Sequence, residues 1–500
     1  MTAAYFDSLD DLAAWHATHA PVEHLDSYQT ARAYDPSVPR TLVCHDFRGG
    51  YTEQLDRRDY VFHYWHLIDI FIYFSHHRVS IPPASLIAAA HKRDTKVLGV
   101  LVFEHEAGQE DARKLVQGSN ERSSRLLRTN ARRDNPFATV SIEHADQLID
   151  LAICHRFDGY LLNVEIDLGM HGRSHAREHA VALQAWAEYF SSELRRRIPG
   201  GEVIWYDAVT STGALRWQNR LNDLNRGFAD ACGAIFTNYH WSPPDLAADS
   251  RELSHSTRTP QRLLAGSEIP ALAPSNVFCG IDVWGRGQYG GGGLSTHLAA
   301  AAVSAAQLSI ALFGQAWTFE SSELFPDGVQ DWSTWQETDQ HLWLGSGADA
   351  QDEPALALLE RERRKELYER LSEQERARFG ACDVPHRPLS AYLTGKPIDI
   401  RKAGFVATGC LGSGKAYWHR GEPVWQPTRG WTEPSLASAF PSLAIPCRAR
   451  QTHLVAFDDT VAWSGAQSLL VRARASDQPI KANRTSSTRF LQNAQRYQPR

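Results

Sequence analysis

The chain has 500 residues, 43% of them hydrophobic and 22% charged, with 52 basic against 58 acidic side chains and a formal net charge of -6. That length accommodates one large domain plus a second module, and the composition is that of a globular chain able to bury a sizeable core. The mild acidity gives no reason to expect a nucleic acid or an anionic membrane as partner, and no stretch approaches the length of a membrane span.

The chain opens MTAAYFDSLDDLAAWH, with neither a basic region nor an apolar one, so a secretory leader is not expected and a cytoplasmic location is. Seven cysteines contain no C-x-x-C pair, against a zinc ribbon or a thioredoxin motif. Cys44 and Cys279 lie in apolar runs and are expected as buried free thiols, which suits a reducing compartment.

After an N-terminal segment, residues 1–40, apolar runs recur at 41–46, 68–74, 97–103, 160–164, 203–207, 234–238, 277–282 and 310–317. Helical patterns such as 83–93, 176–197 and 296–307 lie between them. Near-continuous apolar strands separated by helices predict a parallel sheet buried on both faces. Eight such units favour an α/β fold of the (β/α)8, TIM-barrel type over residues 41–335, rather than an open doubly wound sheet. Residues 336–400 read as a helical linker region, with a charge-rich helix at 359–378. From 401 to 477 short strands broken by Gly and Pro predict an all-β module, smaller than a complete sandwich. Residues 478–500 are polar, without strand alternation, and are expected to be a disordered tail.

Polar side chains gather at the C-terminal ends of the apolar runs: Asp46, Asn163, Glu165, Tyr206, Asp207, Asn238, Asp282 and Glu320. In a barrel those ends ring the mouth, where active sites sit. The most informative run is Gly159-Tyr160-Leu161-Leu162-Asn163-Val164-Glu165. Residues i and i+2 share one face of a strand, so Asn163 and Glu165 should project together with Leu161 into the barrel. A carboxyl and a carboxamide there either tie strand ends together or react, and their position at the mouth favours reaction.

An ordinary retaining glycosidase uses two carboxyl groups. Where a substrate carries a 2-acetamido group, its own carbonyl oxygen can attack the anomeric carbon, and one acid/base plus an amide-orienting group suffice. Glu165 would be that acid/base, with a raised pKa, and Asn163 the orienting group.

Several stretches resemble glycoside hydrolase family 85. They are Arg48-Gly49-Gly50-Tyr51-Thr52-Glu53, then Ile68 to His77 with Val79-Ser80-Ile81-Pro82-Pro83, then Gly159 to Glu165 and Trp205-Tyr206-Asp207. The resemblance continues through Trp217-Gln218-Asn219, Asn238-Tyr239-His240-Trp241 and Gly280 to Gly287, covering about residues 40–320 in order. It implies an endo-β-N-acetylglucosaminidase that cuts the GlcNAc-β1,4-GlcNAc core of N-glycans with retention, through an oxazoline, with transglycosylation open to it. The implied substrate is an N-glycan oligosaccharide or glycopeptide, and no cofactor or metal is implied. On the matched motifs Asn163, Glu165 and Tyr206 are the implied catalytic residues. Trp205, Trp217, Asn238, Trp241, Asp282, Trp284 and Glu104 are the expected substrate contacts. Where the family pattern has Glu-Trp at the third strand end, this chain has Glu104-His105, with less aromatic surface for stacking.

Two alternatives are a chitinase-like barrel and a catalytically inactive, lectin-like barrel. The first should carry Asp where Asn163 stands, and the second should lack the acid that Glu165 supplies. Gly285-Arg286-Gly287-Gln288-Tyr289-Gly290 spells a dinucleotide motif, but no acidic residue follows at the required distance, and a mouth loop is the better reading. His63, His66, His76 and His77 lack metal-ligand spacing and are expected as hydrogen-bonded structural histidines.

Overall fold

A computed structural model describes residues 4–19, 34–47, 57–117, 126–128, 139–169, 175–255, 260, 262–264, 266–322, 324–325, 332–345, 355–373, 376, 379–380, 384–396, 410–437, 453–458, 462–466 and 468–473. The first family motif, at 48–53, and the polar tail at 478–500 lie outside these residues.

Eight parallel strands close a barrel: β1 (Thr41–His45), β2 (Ile70–Tyr73), β3 (Lys96–Glu104), β4 (Gly159–Glu165), β5 (Glu202–Tyr206), β6 (Ile235–Thr237), β7 (Val277–Asp282) and β8 (Ser309–Phe313). Each pairs with its chain neighbour, and β8 returns to β1 with Ile310 opposite Thr41 and Phe313 opposite Cys44. Strand alternation divides the core into two layers. Leu42, Ile70, Leu98, Val100, Leu161, Ile204 and Phe278 fill the interior, while Val43, Phe71, Val97, Leu101, Leu162, Val203 and Ile281 face outward.

The outer layer is covered by α1 (Ala84–His91), α2 (His105–Gln117), α3 (Glu143–His155), α4 (Ala176–Arg197), α5 (Arg226–Cys232), α6 (Pro243–His255) and α7 (Thr296–Ala305). Between β1 and β2 the described chain has only a 3-10 turn, Trp65–Leu67. The expected helix 176–197 forms over its whole length and buries Ala180, Leu183, Trp186, Phe190 and Leu194, which recur at helical spacing.

The eighth apolar run stops short of its expected end. Gly314 has φ +70, and the chain turns there into a short helix, Trp317–Glu320, so Glu320 stands on that helix and not on a strand end. Gly159 opens β4 at φ +149, where a Cβ would lie 1.9 Å from the Glu202 carbonyl oxygen. Only glycine lets β4 enter the sheet that close to β5.

The N-terminal segment joins the barrel. Tyr5–Phe6 pairs antiparallel with Val79–Ser80, and helix Leu9–Ala17, capped by Ser8, sets His16 Nε2 2.6 Å from Asp150 of α3. Helix Trp332–Leu344 crosses the expected boundary at 335 and buries Trp335, Leu342 and Trp343 in the main core. Beyond it, helix Ala355–Arg370 is followed by small antiparallel sheets within 413–473. These attach to the connection between β1 and β2: Arg58 N donates to Arg429 O at 3.0 Å, and Thr432 Oγ1 to Arg57 O at 2.7 Å.

Candidate active site

A cavity of about 570 Å³ opens at the C-terminal ends of the strands. Asn163 and Glu165 reach it from β4, as their shared parity with Leu161 requires. Glu104 ends β3 directly opposite Glu165 in the strand register. Asn163 is almost fully buried and donates from Nδ2 to Glu104 Oε1 at 3.3 Å. Trp217 Nε1 donates to Glu165 Oε1 at 3.1 Å.

Burial is the main reason that the Glu165 carboxyl titrates above the ordinary carboxylate range, and the neighbouring Glu104 charge adds to it. Glu104 is pushed the other way, mainly by its hydrogen bond with His76, whose Nδ1 lies 3.2 Å from Glu104 Oε2. Two adjacent carboxyl groups are thus shifted in opposite directions, Glu165 up and Glu104 down.

Across the cavity, Tyr206 donates from its hydroxyl to Asn238 Oδ1 at 2.9 Å, and Asn238 donates to Asn219 Oδ1 at 2.7 Å. Asn219 has φ +62 and sits on the loop after β5. Buried Asp207 shapes that loop, accepting from the backbone N–H groups of Gln218 (3.1 Å) and Asn219 (2.7 Å) and from Asn225 Nδ2 (2.8 Å). Burial pushes the Asp207 carboxyl up to about 6. On the far side, Asp282 holds Arg286, with Nε 2.7 Å from Oδ2. Among the described residues no group of three or more His, Cys, Asp or Glu is placed to hold a metal ion.

The profile of glycosyl hydrolase family 85 matches residues 46–417. This chain belongs to that family. It is similar to the cytosolic endo-beta-N-acetylglucosaminidase of Gallus gallus, with 33% identity over 325 residues, which are 63% of this chain and 39% of the relative. The protein of the same name from Danio rerio is 34% identical, over 63% of this chain and 40% of its own. The chain thus spans about two fifths of the length of these curated relatives. Among solved structures, the glycoside hydrolase domain of Endo-D from Streptococcus pneumoniae R6 matches with a TM-score of 0.60 at 15% identity, covering 94% of this chain and 66% of that one. At that identity the likeness concerns the fold.

Of the residues that the family 85 motifs nominate, Glu104, Asn163, Glu165, Tyr206, Trp217, Asn238 and Asp282 all line the one cavity. Three tryptophans do not. Trp205 points out of the barrel and stacks on Phe228 of α5, with ring centroids 4.2 Å apart. Trp241 is buried beside β7, donating to Gly280 O at 2.7 Å. Trp284 is half-buried against the outer core and against Gly314. All three were expected as substrate contacts, and none of them lines the cavity.

The cavity also contains residues that motif reading left out of the site: His76, Phe74, Asn219, Tyr239, Arg286 and Phe313. Asn219 was visible in the Trp217-Gln218-Asn219 motif. Phe74, just after β2, and Phe313, the last residue of β8, stand at an inward parity, which alternation could have flagged. Arg286 lies inside the glycine motif, a mouth loop whose Gly285, Gly287 and Gly290–Gly293 all have positive φ.

Proposed function

We propose that this chain is an endo-β-N-acetylglucosaminidase that hydrolyses the GlcNAc-β1,4-GlcNAc core of N-glycans. The observation that carries the reading is a half-buried carboxyl, Glu165, shifted above the usual carboxylate range and two residues along the same strand face from the Asn163 amide, in a cavity shared with Tyr206. The shared name of the relatives, cytosolic endo-beta-N-acetylglucosaminidase, supports the same activity and a cytosolic location. Among the described residues no helix is long and apolar enough to cross a membrane.

In this mechanism the 2-acetamido oxygen of the substrate attacks the anomeric carbon while Glu165 protonates the departing glycosidic oxygen. The amide N–H is accepted by Asn163, which favours the oxazoline that forms. Glu165, now ionised, takes a proton from a water whose oxygen bonds to the anomeric carbon as the ring C–O bond of the oxazoline breaks; the acetamide is restored and the product retains its anomeric configuration. A sugar hydroxyl in place of water gives transglycosylation. Trp217, exposed at the rim, offers a face for a sugar ring, and the Tyr206 hydroxyl borders the reacting centre.

The test is mass analysis of a high-mannose glycopeptide incubated with wild type and with Glu165→Gln. Wild type should leave one GlcNAc on the peptide, and the variant should leave the glycan intact. Absence of cleavage by folded wild type would leave the glycan-binding barrel as the better reading.

A further inference from the structure

His76 sits at the mouth beyond β2, and its side chain is 60% exposed. A structural histidine would be expected to tie backbone together; this one instead contacts a carboxylate inside the cavity. Its Nδ1 lies 3.2 Å from Glu104 Oε2. The other oxygen of Glu104 accepts from Asn163 Nδ2 at 3.3 Å. Glu104 is also hydrogen-bonded to the Glu165 carboxyl, which is its partner across the β3–β4 register. One carboxylate therefore touches three neighbours, two of which are the groups assigned to the chemistry.

We propose that His76 and Glu104 form a positioning dyad, in which Glu104 fixes the Asn163 amide and the Glu165 carboxyl together and His76 fixes Glu104. This rests on the proposed glycosidase reading and deepens it. A primary amide can present either its nitrogen or its oxygen to the cavity. With Nδ2 engaged by Glu104, the Asn163 oxygen is left to accept a substrate amide N–H, the orientation that stabilises the oxazoline. Across the strand pair the two carboxyls stand in register, where burial favours the proton on Glu165 and the His76 hydrogen bond favours the anion on Glu104. His76 supplies the counter-charge that keeps Glu104 the anionic member of the pair.

Other groups act on the dyad. Asp46 and Glu165 act electrostatically on His76, His105 acts on Glu104, and Trp217 donates to Glu165. His105 itself begins α2 at φ +57 and is exposed, so Glu104 is the last residue of β3 with an inward side chain.

The experiment compares wild type, Glu104→Gln, His76→Ala and His76→Gln on a high-mannose glycopeptide, with kcat and KM resolved across pH and folding checked by thermal melt. Glu104→Gln should lower kcat by about 100-fold, the scale of a misplaced reacting group, with KM within about twofold. Its alkaline limb of kcat/KM should move to lower pH, because Glu165 loses the anionic neighbour that helps keep it protonated. His76→Ala should lower kcat by about tenfold, and His76→Gln, whose amide can still donate to Glu104, should recover part of that loss. Folded Glu104→Gln and His76→Ala proteins with the wild-type rate and profile would overturn the dyad while leaving the glycosidase reading intact. So would a Glu104→Gln protein that melts like wild type and changes in KM alone. A folded wild type without cleavage, by contrast, overturns the glycosidase reading and the dyad with it.

Discussion

At the residue scale, the acid is governed by what surrounds its proton. Burial and the Glu104 charge favour protonated Glu165, whereas the Trp217 N–H favours the ionised form. A general acid works while protonated, so activity should fall as pH rises through a limb lying above the ordinary carboxylate range. Trp217→Phe removes the donor that stabilises the carboxylate. The limb should then move to still higher pH, which a kcat/KM profile against pH would detect; an unmoved limb would mean that the indole does not touch the acid in solution. The tryptophans also show what motif likeness passes over. Trp205 and Tyr206 are consecutive on one strand, so alternation sends them to opposite faces. Placing Tyr206 inside the barrel already assigns Trp205 to the outer layer, whereas motif likeness treats the two alike.

At the element scale, the strands were legible because they are apolar on both faces, as a buried parallel sheet demands, and most of them lead into polar residues at the mouth. The length of α4 was equally legible from its apolar spacing. Less legible were places where backbone geometry overrides pattern. The eighth run reads as apolar to Trp317, but Gly314 turns the chain out of the sheet. The loop after β5, which carries Trp217 and Asn219, takes its shape from the buried Asp207 carboxylate, and nothing in local propensity announces that. Gly159 is the element-scale test. Gly159→Ala would bring a Cβ against the Glu202 backbone and displace the start of β4, destabilising the fold by roughly 1–3 kcal/mol. Thermal melts should show this loss, and kcat should fall in the same variant because β4 carries Asn163 and Glu165. A wild-type melting temperature would contradict the close β4–β5 approach.

At the scale of the whole molecule, the two ends of the barrel divide their tasks. The mouth carries the reacting groups, while the base is held by a buried charge cluster. Glu202 accepts from Arg40 Nη1 at 2.6 Å and pairs with Lys96, joining the approaches to β1, β3 and β5. The fully buried Glu202 is held well below its usual range by these two cations, against the cost of burial. Its folded pKa is depressed, so its stabilising contribution is present above the unfolded value and is lost as pH falls toward the folded one. Glu202→Ala would strand Arg40 and Lys96 in the interior and should cost about 3–5 kcal/mol, measured by denaturant unfolding. Little of this was legible in the sequence, since the three residues are far apart in the chain and become neighbours only when the barrel closes.

That closure has a consequence for how the molecule is made. Arg40, just before β1, donates its backbone N–H to Ser309 of β8 across 269 residues. On the ribosome, β1 emerges with β2 as a neighbour on one edge and nothing to cover the other until β8 has been translated. Throughout that interval the nascent chain exposes an apolar strand edge, the kind of surface that chaperones cover and aggregates recruit. Glu165 and Asn163 are already in the growing chain by then, yet the ring that encloses their cavity is completed only by its last strand.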